Sequence, residues 1–333
     1  MNKPYIYIAK RIPEPVLAYL REHAECRMWE GAGSAPRAEL LANVADAEGL
    51  LTSGDAVDGE LLAHAPKLRA VSTISVGYNH FDVNAMKARG VVGMHTPHVL
   101  DETVADLVLA LMLASARRVT ELDRLVKDGG WIVDRTRPED AMFGFDVHHA
   151  KLGIIGMGRI GEAIARRAVH GFGMELMYYN RSRRSEAEAK YGARYVELET
   201  LFRESDFVVL MTPLTPDTVK FVRAEHFAMM KPTAFFINAS RGQTVDEEAL
   251  AEALRAGRIR GAGLDVYERE PIDPNHPFLS MPNVVTLPHI GSATAKTRFA
   301  MAELAARNLV EALRGGKPPY VVKELESVLG SRT

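Results

Sequence analysis

A chain of 333 residues is longer than one hydrophobic core usually fills, so two domains are expected. Its 41 Lys and Arg against 43 Asp and Glu leave a net charge of −2, which gives no electrostatic case for a nucleic-acid or anionic-membrane partner. The single cysteine, Cys26, excludes an intrachain disulfide and a cysteine zinc cage, and no apolar run is long enough for a leader or a membrane span, so a cytoplasmic protein is expected.

Tyr5–Ala9 reads as a short buried strand. A helix follows from the Pro13/Pro15 turn to His23, and Arg27–Trp29 reads as a second strand. Ser34 is placed as an N-cap, with Pro36 in the first turn of a helix running to Ala45. Gly49–Thr52 is strand-like, Leu61–Ala65 a short helix ended by Pro66, and Leu68–Ile74 a strand. Val83–Arg89 is a helix stopped by Gly90, and Val91–Met94 a strand after it. Strands alternating with short helices predict a parallel α/β unit.

Asp101 is positioned to cap the next element, Glu102–Lys127, which is apolar almost all round through Val104–Ala116 and so predicts one long buried helix closed by Gly129–Gly130. Residues 131–150 lack periodicity and read as a loop or arm at a subunit contact. From Lys151 the βα alternation resumes, with strands at Lys151–Gly156, Met174–Asn180, Tyr195–Val196, Phe207–Met211, Ala234–Asn238, Gly261–Asp265 and Val284–Leu287. Helices lie between them, such as Asp246–Ala256, in a doubly wound pattern whose ligands sit at the carboxyl ends of the strands. Ala293–Arg314 is a long amphipathic helix expected to return to the first unit. The resulting domains are 1–100 with 294–333, and 101–293.

The stretch LGIIGMGRIG, Leu152–Gly161, carries G-x-G-x-x-G between a strand and a helix, Arg159–Val169. Gly156 turns the chain, Gly158 leaves room for a pyrophosphate, and Gly161 lets the helix pack close to the sheet. The helix N-terminus at Arg159 and Ile160 offers unpaired N–H groups to phosphates. The same spacing suits a purely structural turn, but the strand before it and the helix after it favour a dinucleotide. In NAD sites an acid ends the second strand and accepts the ribose hydroxyls. Here that strand, ELMYYN, ends in Asn180, followed by Arg181, Ser182, Arg183 and Arg184. The acid that would repel a 2′-phosphate is missing and donors for it are present, which favours NADP(H), with NAD(H) as the alternative. The bland reading of the same residues is a solvated basic turn.

Three strand-end segments carry reactive side chains: NASRGQ with Arg241, DVYEREP with Glu270, and LPHIGSA with His289. A 2-oxo acid reductase needs a cation for the carboxylate, a proton donor for the carbonyl oxygen, and an acid that keeps the donor charged. Each residue by itself has an ordinary structural reading; together, after strands of one sheet, they match the requirement.

With these motifs in order, the sequence resembles the D-isomer-specific 2-hydroxyacid dehydrogenases over nearly its whole length. GMGRIG (156–161), NASRG (238–242), GLDVYEREP (263–271) and LPHIGSAT (287–294) carry the likeness. STISVGYNHFDVNA (72–85), MHTP (94–97), ETVAD (102–106) and DVHHAKLGIIGMGRIG (146–161) resemble the glyoxylate/hydroxypyruvate reductase branch, which includes bacterial 2-ketogluconate reductases. The resemblance implies an α/β fold of two doubly wound parallel-sheet domains, one a Rossmann dinucleotide-binding domain and one a flavodoxin-like substrate domain. It implies that Arg241 binds the substrate carboxylate and carbonyl, that His289 donates the proton, and that Glu270 pairs with His289. The backbone N–H groups at Val76 and Gly77 would hold the substrate carboxylate. Thr103, Thr212, Pro213, Thr218, Ala239, Ser240, Asp265 and Gly291 would line the dinucleotide, with Asp265 near the nicotinamide amide. The implied reaction turns small 2-oxo acids into D-2-hydroxy acids at the expense of NADPH, in a homodimer whose domains close over the substrate.

The chain also departs from its relatives. Several of them place a Trp in the loop before the DVHH-like segment; here it reads EDAMFGF, with Met142 and Phe143, which bears on substrate range. Trp131 lies earlier and is expected to be structural. About 18 residues follow Gly315, so an appended regulatory domain like that of longer phosphoglycerate dehydrogenases is not expected, and Glu270 argues against a formate dehydrogenase. The rival readings are a family member acting on phosphite or aromatic 2-oxo acids, and a dinucleotide-binding corepressor or scaffold.

Overall fold

The computed structural model describes residues 3–132 and 138–330. The chain first lays down β1 (Tyr5–Ile8), α1 (Glu14–His23), β2 (Glu25–Met28), α2 (Arg37–Asn43), β3 (Gly49–Thr52), α3 (Gly59–His64), β4 (Ala70–Thr73), α4 (Val83–Ala88) and β5 (Val92–Met94). The five strands pair in parallel in the order β2-β1-β3-β4-β5, the flavodoxin-like winding. β3, β4 and β5 are buried along their whole length, as strands covered on both faces by helices must be. Asp58 and Asp82 cap α3 and α4 through Leu61 N–H and Ala85 N–H, each at 2.9 Å. The cap placed at Ser34 is not formed. α2 begins directly after Pro36, whose ring-restricted backbone (φ −55°, ψ 149°) sets the entry into the helix.

The next stretch holds α5 (Asp101–Ala116), α6 (Val119–Lys127), β6 (Lys151–Ile155), α7 (Arg159–Phe172), β7 (Glu175–Tyr179), α8 (Ser185–Tyr191), β8 (Arg194–Tyr195), α9 (Leu198–Glu204) and β9 (Phe207–Leu210). It continues through α10 (Ala224–Met229), β10 (Phe235–Asn238), α11 (Glu247–Arg255), β11 (Gly261–Leu264) and β12 (Val284–Thr286). The seven strands are parallel in the order β12-β11-β10-β9-β6-β7-β8. Strand order reverses where β6 lies between β7 and β9, which is the point at which an open α/β sheet takes its ligand. Phe202, Phe227, Phe236 and Phe278 are fully buried in its core; each such ring stabilises by about 1.5–3 kcal/mol relative to exposure. Finally α12 (Ala295–Leu313) and α13 (Glu326–Gly330) close the chain. α12 packs on β3, where Gly49 has no Cβ: one there would lie 2.8 Å from Leu313 Cδ1.

By internal packing the chain divides into Met1–Leu100 with Ala293–Thr333, and Asp101–Ser292. The single long helix expected over Glu102–Lys127 is two helices. Arg118 adopts φ +55° and breaks the run just after the last buried residue, Ala116. Its guanidinium binds the Glu121 carboxylate (2.9 and 2.7 Å) and the Ala141 carbonyl (2.8 Å), which holds the break. Asp101 is the first residue of α5 rather than a flanking cap. Trp131, expected to be structural, is 71% exposed; it follows α6, which buries none of its own residues. The expected arm at 131–150 falls partly on residues 133–137, outside the described residues. Among the described residues no helix is long and apolar enough to cross a membrane.

Candidate active site

The glycine turn after β6 performs three separate tasks. Gly156 has φ +105°, and a Cβ there would lie 2.6 Å from the Met211 carbonyl oxygen just beyond β9. A Cβ on Gly161 would lie 2.5 Å from the Gly156 oxygen, so α7 starts hard against the turn. Around Gly158 no atom lies within 4 Å of where a Cβ would be, so the backbone is open to an incoming group. The amides of Arg159, Ile160 and Gly161, the first turn of α7, meet no acceptor among the described residues. Thr212 Oγ1, just beyond the end of β9, is buried without a partner among them. Free amides at a helix N-terminus, an open backbone and an orphaned hydroxyl fit a dinucleotide pyrophosphate at the switch point.

Asn180 directly follows β7 and is tied to this turn: its Oδ1 accepts Met157 N–H at 2.7 Å, and its Nδ2 donates to the Met157 carbonyl at 3.4 Å. The basic residues after it are not equivalent. Arg183 grips Glu188 (3.0 and 2.7 Å), which also accepts the Tyr178 hydroxyl at 2.6 Å. Arg184 pairs with Glu162 at 3.1 Å. Arg181 and Ser182 are exposed and have no partner among the described residues. Arg159 pairs through Nε with Asp101 (3.2 Å), although its amide is free. Thr103 lies in the first turn of α5; its neighbour Val104 packs against Gly291, where a Cβ would be 3.4 Å from Val104 Cγ2. Thr218 locks the 213–218 turn, donating to the Pro213 carbonyl at 2.8 Å.

Arg241, Glu270 and His289 follow β10, β11 and β12 at the same edge of the sheet. Asn238 knits the first loop, accepting Ser240 N–H (3.0 Å) and Oγ–H (2.8 Å) and donating to the Arg241 carbonyl (3.1 Å); Ala239 lies between. Gly242 is obligatory, since a Cβ there would fall 1.8 Å from the Tyr267 carbonyl carbon. The Arg241 loop is thereby packed on the loop that bears Glu270. Arg241 forms no ion pair among the described residues; its Nη1 donates to the Ser240 carbonyl at 2.6 Å. Burial pulls its guanidinium below the usual arginine range, while the Glu270 charge opposes this.

His289 Nδ1 and Glu270 Oε2 are 2.7 Å apart, and Glu270 Oε1 accepts Tyr267 N–H at 3.1 Å. With a carboxylate as acceptor, Nδ1 carries the proton. Burial pushes the Glu270 carboxyl up, but the His289 hydrogen bond and charge, the Tyr267 amide and the Arg241 charge outweigh it and hold the group below its ordinary value. His289 has φ +52°, held by Asp265, whose two oxygens accept the Ile290 and Gly291 amides at 2.8 Å each. Burial pushes the Asp265 carboxyl up, against the pull of those amides. A second clamp goes unnoticed in the sequence. Glu247 accepts Glu268 N–H at 2.6 Å and faces His276 Nε2 at 3.3 Å, and Gln243 Nε2 donates to the Glu268 carbonyl at 2.7 Å. Glu247 reads in sequence only as an acid in the first turn of α11, a helix-dipole residue.

In the other unit, Val76 and Gly77 follow the carboxyl end of β4. Neither amide N–H meets an acceptor among the described residues. The Val76 carbonyl accepts from His95 Nδ1 (2.8 Å), and the Gly77 carbonyl from Ser75 Oγ (2.7 Å). Two adjacent free amides in a turn suit an anion.

The profile of the D-isomer specific 2-hydroxyacid dehydrogenase NAD binding domain matches residues 109–291. The glyoxylate/hydroxypyruvate reductase B of Escherichia coli O9:H4 (strain HS) is 51% identical over 313 residues, covering 94% of this chain and 96% of that one. Among solved structures, a protein from Thermus thermophilus superposes with a TM-score of 0.88 at 42% identity, covering 96% of this chain and 99% of its own. The NADPH-dependent glyoxylate/hydroxypyruvate reductase of Sinorhizobium meliloti, in complex with NADP and malonate, superposes with a TM-score of 0.84 at 34% identity, covering 97% and 98%.

Proposed function

This chain belongs to the D-isomer specific 2-hydroxyacid dehydrogenase family, and from that premise we propose that it is an NADPH-dependent reductase of small 2-oxo acids, with glyoxylate and hydroxypyruvate as substrates and 2-ketogluconate as a further one. The observation that carries the reading is the His289–Glu270 pair at 2.7 Å together with an Arg241 free of ion pairs among the described residues, all at the carboxyl edge of one sheet. When bound, the nicotinamide cofactor supplies the hydride. The Val76 and Gly77 amides take the substrate carboxylate. Arg241 lies against the carbonyl oxygen and stabilises the negative charge that grows there. His289, with Nδ1 held by Glu270, donates the proton of Nε2 to that oxygen, and the product is a D-2-hydroxy acid. Asp265 acts on this step by fixing the turn that carries His289.

NADPH is favoured over NADH because Arg181 has no partner among the described residues and follows the strand end where an acid for the ribose is missing. A homodimer is supported by α6, which buries no residue. Val119 and Val126 are each 52% exposed on and beside its ends, and Trp131, Ile132 and Phe143 are exposed in the segment after it. Initial rates with glyoxylate, hydroxypyruvate, pyruvate and 2-ketogluconate, each with NADPH and NADH, test the proposal. Turnover of the first two with NADPH is expected. Dinucleotide binding without oxidation on any 2-oxo acid would overturn it in favour of a corepressor or scaffold.

A further inference from the structure

The MHTP segment has no task in that reaction, yet its histidine is fixed from several sides. His95 directly follows β5, its N–H donates to the Tyr320 carbonyl (3.2 Å), and its carbonyl accepts from Asn308 Nδ2 (3.0 Å) on α12, a residue with no exposed surface. Its ring stands edge-on to Tyr78 at 5.3 Å. So held, His95 Nδ1 lies 2.8 Å from the Val76 carbonyl oxygen. A carbonyl only accepts, so Nδ1 carries the proton.

The Val76 carbonyl and the Gly77 N–H belong to one planar, trans peptide unit, and in such a unit the two groups point in opposite directions. A donor fixed on the carbonyl therefore fixes the direction of the N–H. Ser75 Oγ pins the following unit by donating to the Gly77 carbonyl at 2.7 Å. That donation uses the serine's one proton, so Ser75 Oγ accepts from Thr73 Oγ1 (2.9 Å), and Thr73 Oγ1 in turn accepts from His80 Nε2 (3.1 Å). Both peptide planes around Gly77, the residue type with the greatest backbone freedom, are thus held by side chains.

We propose that His95 is a positioning residue for substrate: by holding the Val76 carbonyl it aims the Gly77 N–H, and His80, through Thr73 and Ser75, holds the next peptide. The inference rests on the reading that these amides take the substrate carboxylate. Its value is preorganisation, since a turn already aimed loses no freedom on binding.

The test compares His95→Leu, His95→Asn and His95→Gln with Gly77→Pro, which deletes the amide proton itself. For each, the KM for glyoxylate, kcat, and NADPH affinity by fluorescence titration are measured. Asn presents its Nδ2 near the position of the imidazole Nδ1, whereas Gln presents its amide farther out. His95→Leu and His95→Gln are expected to raise KM about five- to tenfold with kcat and NADPH affinity little changed, and His95→Asn to restore most of the loss. Equal KM values for the Asn and Gln variants overturn the inference, and this comparison stands even where the Leu variant fails to fold. A raised KM for Gly77→Pro with wild-type KM for His95→Leu overturns the positioning role and leaves the carboxylate reading in place. An unchanged KM for Gly77→Pro, with NADPH affinity retained, overturns the carboxylate reading and the positioning role with it.

Discussion

Glu270 feels two cations, His289 and Arg241, and its carboxyl is held below the ordinary range despite burial. The carboxylate is charged, and its pairing complete, above the ordinary carboxyl pKa; the pairing is lost as pH falls through the lowered value. Glu270→Gln keeps the shape and removes the group whose lowered carboxyl sets an acidic limb here, so the acidic limb of the kcat/KM profile is expected to be lost, with folding unchanged by circular dichroism. A limb that stays in place would remove Glu270 from control of the proton donor. At the basic turn after β7, Arg181→Ala is expected to weaken NADPH binding by about ten- to 150-fold, the span of one charge-assisted hydrogen bond, and NADH binding by about twofold or less. Arg183→Ala should cost less, since Glu188 already holds that side chain. Equal losses for both cofactors would sink the 2′-phosphate assignment. In the sequence the three arginines of RSRR are indistinguishable. Their different partners come from Glu188, on α8, and Glu162, on α7, which only the folded chain brings to them.

The β6–α7 turn shows how an element divides its tasks among residues of one type. Gly158 faces open space and Gly161 faces the Gly156 carbonyl at 2.5 Å from a would-be Cβ. Gly158→Ala is therefore expected to leave the melting temperature nearly unchanged, as surface substitutions do within about 0.5 kcal/mol, while reducing dinucleotide affinity. Gly161→Ala should lower stability by about 1–3 kcal/mol through overpacking against backbone. Thermal melts paired with cofactor titrations separate the two; a parallel loss in both variants would contradict the division. This motif was legible in the sequence because its spacing encodes a local turn. The break between α5 and α6 was not, since helical pattern continues across Arg117–Arg118. What stops it is a left-handed Arg118 held by Glu121 and by the carbonyl of Ala141, 23 residues away.

For the whole molecule, the exposed side chains of α6 and of the segment after it lead to a prediction about assembly. Val126→Glu combined with Trp131→Ser is expected to convert a dimer into a monomer in sedimentation velocity, because each places polar atoms where an apolar face would be covered. A wild-type chain that sediments as a monomer, or a variant that stays dimeric, would refute the assignment of this face. By itself the sequence located the twelve strands of the described residues, their parallel sense and the strand-end placement of Arg241, Glu270 and His289. Those features follow from short apolar runs and turn residues that act on their own neighbourhood. Only the tertiary structure decided which arginine is left without an acidic partner among the described residues, that Asp265 and Glu247 clamp the loops that carry His289 and Glu268, and that His95 faces the Val76 carbonyl. Apart from Arg183–Glu188, which are five residues apart, those are pairings between residues 19 or more apart in the chain, and hydrogen bonds of this kind leave no periodic trace in a sequence.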